Sequence, residues 1–442
     1  MSQAEFTEAE LHRPLNRSDY KTLSLSALGG ALEFYDFVIY VFFAAVVGKL
    51  FFPADMPDWL RQMQTYGIFA AGYLARPLGG IIIAHFGDLF GRKRMFTLSI
   101  FLMAVPTLLI GLLPTYETIG FAAPVLLLFF RILQGAAIGG EVPGAWVFVA
   151  EHVPTSRIGI ATGTLTSGLT GGILLGSLMA VAINKIYSAE EVAAFAWRIP
   201  FIVGGVFGFV AVYLRRFLEE TPIFKEMQAR KALAKGFPLE EIKRHLSGTI
   251  ISMLLTWVLS AAIVVVILMT PGYLQKVHGI TPVLAAQANA LATLTLTAGC
   301  IVFGWACDRF GVRPAMLVGY AGLLGASYFF YHNAGNDSSL FLSYGVAGFF
   351  VGSIATVPYV AVRAFPAAIR FSGLSFSYNV SYAIFGGLTP MVLTAWLQVD
   401  KLAPAHYVGS LAVLGFLLAF VPLAGRQSAS RIVGTSLATQ AR

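Results

Sequence analysis

Hydrophobic residues in this chain come in blocks of about 20, separated by short polar turns, almost from one end to the other. The blocks run near 22–48, 62–86, 95–114, 121–150, 158–184 and 198–217, then 248–274, 281–306, 314–332, 338–362, 370–397 and 405–425. At a rise of about 1.5 Å per residue, each is long enough as a helix to cross a hydrocarbon core of about 30 Å. The pattern predicts an all-α membrane protein of twelve transmembrane helices. It also divides the chain into a tail over 1–21, six helices over 22–217, a polar linker over 218–247, six helices over 248–425 and a tail over 426–442. The linker interleaves Lys225, Arg230, Lys231, Lys243 and Arg244 with Glu219, Glu226, Glu240 and Glu241, as short amphipathic helices on a membrane surface do.

Composition sharpens this picture. The 442 residues are 57% hydrophobic and only 12% charged, with a mean hydropathy of +0.75. Soluble domains carry roughly 25% charged residues, so soluble and peripheral readings fail. The apolar character lies in helix-length blocks rather than alternating ten-residue strands, which argues against an outer-membrane barrel. Forty-five glycines fit a bundle whose backbones approach closely. The first apolar run is too long for a cleavable leader and is followed by more spans, so none is expected. The only cysteines, Cys300 and Cys307, share one apolar stretch and predict neither a disulfide nor a metal site.

The net charge of +8 reads as membrane orientation rather than as a nucleic-acid or acidic partner. With the N-terminus cytoplasmic, that side receives Arg13, Arg17, Lys21, Arg92, Lys93, Arg94, Arg157, Arg309, Arg313, Arg363 and Arg370. The opposite side receives Lys49, Arg61, Lys185, Arg198, Lys276 and Lys401. Both termini are therefore expected inside, in the inner (plasma) membrane of a bacterial-type cell.

Two motifs repeat at corresponding places. Gly87-Asp88-Leu89-Phe90-Gly91-Arg92-Lys93-Arg94 follows the second block, and Cys307-Asp308-Arg309-Phe310-Gly311-Val312-Arg313 follows the eighth, about half the chain later. Glu151-His152-Val153-Pro154 through Arg157 is echoed by Arg363-Ala364-Phe365-Pro366 through Arg370. Halves repeated in this way predict a transporter whose site forms between two rocking bundles. Gly91 and Gly311 permit tight turns, and Asp88 and Asp308 with Arg92, Lys93, Arg94, Arg309 and Arg313 are expected to pair across a closing cytoplasmic interface.

At these residues the sequence resembles the major facilitator superfamily, whose signature loop between helices 2 and 3 is Asp-x-x-Gly-Arg-Lys-Arg. The second copy is degenerate, with Val312 in place of a basic residue. Finer motifs resemble its metabolite:H+ symporter branch, which includes α-ketoglutarate, citrate, shikimate and proline/betaine carriers. They are Glu33-Phe34-Tyr35-Asp36-Phe37, Ala75-Arg76-Pro77-Leu78-Gly79-Gly80, Arg131-Ile132-Leu133-Gln134-Gly135 with Gly139-Gly140-Glu141, and Trp197-Arg198-Ile199-Pro200-Phe201. The resemblance implies two pseudo-symmetric six-helix bundles, alternating access, and a part for the helix 4 arginine in proton coupling. It implies no cofactor beyond the proton as coupling ion.

Charge at the bilayer centre costs at least about 2.5–3.5 kcal/mol on insertion scales, so ionisable residues there are functional candidates. Counted from the helix ends, Glu33 lies about 16 Å deep and Arg76 about 18 Å, with Asp36 and Arg131 at a similar level. Arginine offers a planar fork to a carboxylate, so Arg76 or Arg131 is expected to anchor an anionic group. A carboxylate beside another in a poorly hydrated cavity favours its protonated form, which suits Glu33 and Asp36 to proton coupling. Glu141, nearer the cytoplasm, is a candidate proton exit. The competing structural reading pairs Glu33 or Asp36 with Arg76 or Arg131 in buried salt bridges. The second half offers neutral groups at depth, chiefly Tyr378, Asn379 and Tyr382, which are expected to shape the solute pocket.

The resulting expectation is proton-coupled uptake of a small carboxylate or zwitterion by a monomer. Proton-coupled efflux is the nearest rival, but Gly168-Leu169-Thr170-Gly171-Gly172 lacks the proline of the efflux motif in helix 5. Facilitated diffusion leaves the buried carboxylates unexplained. A membrane solute sensor needs an output domain, which the short stretch after Gly425 is not expected to supply. No nucleophile–base pair, metal-spaced His/Cys cluster or phosphate-cradling loop points to an enzyme.

Overall fold

The computed structural model describes residues 13–90, 92–215, 245–366 and 369–421, with the side chains at 84–90, 92–97, 215 and 337 left aside. Most of the 1–21 tail, Gly91, nearly all of the linker and the 426–442 tail lie outside the described residues.

Among the described residues, twelve helical rods follow one another. In the first half these are α1 (Arg17–Phe42, then Ala44–Phe51), α2 (Asp58–Leu74, then Arg76–Phe90), α3 (Arg92–Leu112), α4 (Ala122–Ile138, then Glu141–His152), α5 (Ile158–Ile186) and α6 (Arg198–Arg215). The second half contains α7 (Leu246–Ala261, Ala262–Met269, Thr270–His278), α8 (Pro282–Phe310), α9 (Val312–Asn333), α10 (Asp337–Val351, Gly352–Ala355, Thr356–Arg363), α11 (Arg370–Ser381, Tyr382–Gly386, Gly387–Trp396) and α12 (Ala403–Leu418). Seven rods are long and apolar enough to cross a membrane unaided, and α6 with its bent entry turn makes an eighth.

Local chemistry explains where rods start and break. Asn16 and Asp19 form a reciprocal capping box, so α1 begins at Arg17, inside the polar segment over 1–21. The run Ala-Ile-Val-Val-Val-Ile-Leu-Met in α7 winds as a wide π turn, consistent with crowding of its branched side chains. Breaks at Ala75, at Gly139–Gly140 and at the π turn Tyr382–Gly386 interrupt α2, α4 and α11. Each lies beside a charged or aromatic residue singled out above, namely Arg76, Glu141 and Tyr382.

Glycine sets how closely the rods approach. A Cβ on Gly135 of α4 would lie 1.7 Å from the Gly72 carbonyl oxygen of α2, and one on Gly139 would lie 2.2 Å from that of Arg76. The halves meet in the same manner where Gly159 and Gly163 of α5 face Gly304 of α8. Small residues at such seams are how membrane helices pack without a hydrophobic driving force.

One end of the molecule gathers the echoed motifs and is bridged between the halves. The Asp308 carboxylate accepts from the backbone N–H groups of Gly159 (2.7 Å) and Ile160 (2.8 Å), capping the start of α5 with an anion. Arg370 pairs with the buried Glu151 at 3.2 Å, and Arg363 donates to the Thr155 carbonyl at 3.0 Å. Toward the opposite end, Lys276 donates to Gln62, and Asn289 of α8 donates to Ser177 of α5 at 2.7 Å. The bundle is therefore held across both ends, with its middle layer enclosed.

A charge-assisted hydrogen bond is worth about 1.5–3 kcal/mol, so losing the Asp308 cap should shift opening of that end about tenfold or more. Cys300 is a natural reporter, being buried on α8 with its carbonyl 2.8 Å from a Cβ built on Gly163 of α5. In a Cys307→Ser background, Asp308→Ala is expected to speed maleimide labelling of Cys300 by about that factor. Unchanged labelling would show that the cap does not hold the seam shut.

Candidate functional site

The ionisable residues expected at depth, and Glu141 with them, are buried inside the bundle. Glu33, Asp36, Arg76, Arg131 and Glu141 are each no more than 3% exposed. Equal depth does not mean contact, however. They divide into two groups on different faces of α1.

The acidic group looks toward α3 and α6. Asp36 has neither carboxylate oxygen in a hydrogen bond. Its Oδ1 stands 2.7 Å from a Cβ built on Gly204, and Oδ2 stands 3.0 Å from one on Gly208. The notch cut by these two glycines of α6 is what accommodates the carboxylate. Glu33, one turn earlier on α1, and Glu141, directly after the α4 break, both stand within electrostatic reach of Asp36. The salt bridge between Asp36 and either arginine that the sequence leaves open is absent among the described residues. Fixing this orientation from sequence required knowing that Gly204 and Gly208 share a helix face, a small-x-x-x-small signal that was overlooked.

The basic group gathers around Phe37, the next residue of α1 after Asp36, and its hydrogen-bond chain ends on Thr107, whose Cγ2 lies beside the same Gly204 notch. Arg131 donates from Nη1 to Gln134 Oε1 at 2.9 Å, and Gln134 passes the chain on to Thr107 Oγ1 at 2.6 Å. The guanidinium carbon of Arg131 is 4.6 Å from the Phe37 ring and 4.6 Å from that of Tyr40. The Arg76 guanidinium carbon is 5.7 Å from the same Phe37 ring, and the group is ringed by Tyr73 (5.2 Å), Tyr378 (5.5 Å) and Tyr382 (4.6 Å) and hydrogen-bonded to Tyr378. Nε and Nη2 of both arginines are buried without a hydrogen-bond partner. Tyr73 and Phe37 were not singled out from sequence. Tyr73 precedes Arg76 by three residues and so shares its helix face, a signal that was available.

The second half closes over this group. Tyr382 of α11 stacks on Tyr73 of α2, with ring centroids 5.3 Å apart and planes 10° from parallel. Trp146 of α4 meets Tyr378 edge-on at 5.1 Å. Asn379 donates to the Gly139 carbonyl across the halves and to Ser375 O at 2.9 Å, while its own Oδ1 is buried without a partner. Trp146 Nε1 is in the same condition. Buried polar atoms are almost always satisfied, so a cluster of orphaned ones makes this layer the candidate site.

The gating residues fall differently. Asp308 makes the inter-half cap already described, and Gly311 turns the chain at φ +92°. Arg313 instead ties the start of α9 to the end of α12, donating to Ala419 O at 3.0 Å, and Arg309 is exposed. Asp88, Arg92, Lys93 and Arg94 are helical in backbone, with side chains outside the described set, and Gly91 is outside it altogether.

Comparison with known proteins agrees with this architecture. The Major Facilitator Superfamily profile matches residues 36–390. A "Putative proline/betaine transporter" of Staphylococcus aureus (strain COL) is 34% identical over 406 residues, spanning 90% of this chain and 87% of its own. The "Proline/betaine transporter" of Salmonella typhimurium is 33% identical over 424 residues, with 90% and 82% covered. The "Glycine betaine/proline/ectoine/pipecolic acid transporter OusA" of Dickeya dadantii is 32% identical over 419 residues, with the same coverage. In fold, the chain is similar to the proton:xylose symporter XylE bound to 6-bromo-6-deoxy-D-glucose, with a TM-score of 0.75 at 18% identity over 92% of this chain and 97% of that one. With two six-helix halves, repeated motifs and these matches in agreement, the chain belongs to the major facilitator superfamily and is a multi-pass membrane transporter.

Proposed function

We propose that the protein takes up a small carboxylate-bearing solute together with protons. The observation that carries this reading is a set of buried ionisable atoms around neighbouring positions of α1 that the protein leaves without hydrogen bonds. Neither carboxylate oxygen of Asp36 is bonded, and Nε and Nη2 of Arg76 and of Arg131 are not either. The solute's carboxylate would answer Arg76 and Arg131, and a proton would answer Asp36, with Glu33 and Glu141 as its relay. With neither ligand, opposite charges on the two faces of α1 offset each other at a distance. With only one ligand bound, that offset is lost and a buried charge resists closure of the bundles, which couples the two fluxes.

Arg131 touches Phe37 O (3.4 Å) and the Gln134–Thr107 chain, so it can report loading of the solute side to α3 and α1. The names of the relatives favour a zwitterion over a di- or tricarboxylate. No cofactor enters beyond the coupling proton. The bias of Lys and Arg among the loops supports a bacterial-type inner membrane with both termini on the cytoplasmic side, and we read the carrier as a monomer.

In proteoliposomes, Asp36→Asn is expected to abolish concentrative uptake driven by a pH gradient while counterflow of the solute persists. Loss of counterflow in a correctly folded variant would remove Asp36 from the proton role. Arg131→Lys keeps charge but loses the planar fork. It is expected to raise KM in initial-rate uptake by about tenfold or more, the equivalent of one charge-assisted bond. An unchanged KM would exclude Arg131 from the solute site.

A further inference from the structure

Arg76 occupies a box of aromatic faces drawn from both halves. Phe37 comes from α1, Tyr73 from α2, and Tyr378 and Tyr382 from α11, with ring centroids 4.6–5.7 Å from its guanidinium carbon. The box is braced by the Tyr73–Tyr382 stack, by Phe37 edge-on to Tyr73 at 4.9 Å and by Trp146 edge-on to Tyr378. Its occupant fits it poorly. A guanidinium carries five N–H donors. The Tyr378 hydroxyl accepts from it, but ring faces accept the remaining donors poorly, and Nε and Nη2 of Arg76 are left buried and unbonded.

A cation without N–H donors has no such deficit. A methylated ammonium spreads its charge over its methyl groups and is satisfied by ring faces alone, the arrangement that aromatic cages use for choline-like ligands. We propose that the box formed by Phe37, Tyr73, Tyr378 and Tyr382 is the site for the methylated ammonium of a zwitterionic solute, and that Arg76 is a placeholder cation which the solute displaces. This rests on the carboxylate reading above and deepens it. The solute's ammonium enters the box as the Arg76 guanidinium withdraws toward the solute's carboxylate, where its orphaned N–H groups gain an acceptor. Because Tyr378 and Tyr382 belong to one half and Phe37 and Tyr73 to the other, the box is complete only when the bundles close. The cation is thereby read at the step of occlusion. In the empty carrier Arg76 fills the box, so no cavity is left between the halves when it returns unloaded.

The test is a methylation series of one carboxylate: glycine, sarcosine, dimethylglycine and glycine betaine, measured by initial-rate uptake and by competition in proteoliposomes. Affinity is expected to climb along the series, by about tenfold or more from glycine to glycine betaine, the scale of a desolvated cation–π contact. Tyr382→Leu removes the ring and should flatten the series, while Tyr382→Phe keeps the ring and should keep the ranking even where absolute uptake falls. A flat series in the unmodified protein overturns the cage, and that result needs no variant to fold. A ranking that survives Tyr382→Leu also overturns it. If instead no member of the series, and no dicarboxylate, drives proton entry, the symport reading itself has failed. Proton-coupled uptake that is blind to methylation removes the cage alone.

Discussion

The contact between α2 and α4 governs the middle of this molecule. Gly72, Gly79, Gly135 and Gly139 let the two backbones touch, with no room for a Cβ at Gly79, Gly135 or Gly139. Side-chain-to-side-chain packing would hold helices 8–10 Å apart. The closer approach brings the guanidinium groups of Arg76 and Arg131 to the one Phe37 ring, 5.7 and 4.6 Å from its centroid. Two like charges are thus held close, each with Nε and Nη2 unbonded. That arrangement makes sense in a protein that expects an anion to arrive.

The acids follow from a second glycine feature. Without the notch at Gly204 and Gly208, the Asp36 carboxylate would have no room against α6, and α1 would have to rotate. Rotation by one residue, about 100°, would carry Asp36 toward another face of the helix. The glycine notch, rather than a salt bridge, fixes where the Asp36 carboxylate lies. Hydrogen bonds at the two ends, from Asp308 at one and Lys276–Gln62 at the other, tie the halves across this layer.

Much of this was legible in the sequence. Twelve apolar blocks, the echo of Asp88 by Asp308, and the depth of Glu33, Asp36, Arg76 and Arg131 all follow from periodicity and counting. Depth is a one-dimensional quantity, and one rise per residue is enough to find it. Facing is not, because it depends on which neighbour each rod meets. For that reason counting left open a salt bridge between Asp36 and either arginine, which the fold does not make among the described residues. The aromatic box had no legible signal as a whole, since its four rings come from three helices and two halves. Its nearest part, Tyr73 one turn before Arg76, was visible. The relation between Glu151 and Arg370 was half legible: the two motifs stood out as echoes of each other, and in the fold they are bonded to each other.

The account stands on one claim, that filling the solute side and neutralising the acid side are a single event. It is tested most directly by the accumulation ratio of glycine betaine in proteoliposomes at equilibrium, with the membrane potential clamped at zero and the pH gradient varied. For one proton per solute, the ratio should rise about tenfold for each unit of inward pH gradient and fall to unity when the gradient is abolished. A ratio that stays at unity whatever the gradient, with the solute still entering, would contradict the account and leave a facilitator whose buried carboxylates serve structure alone.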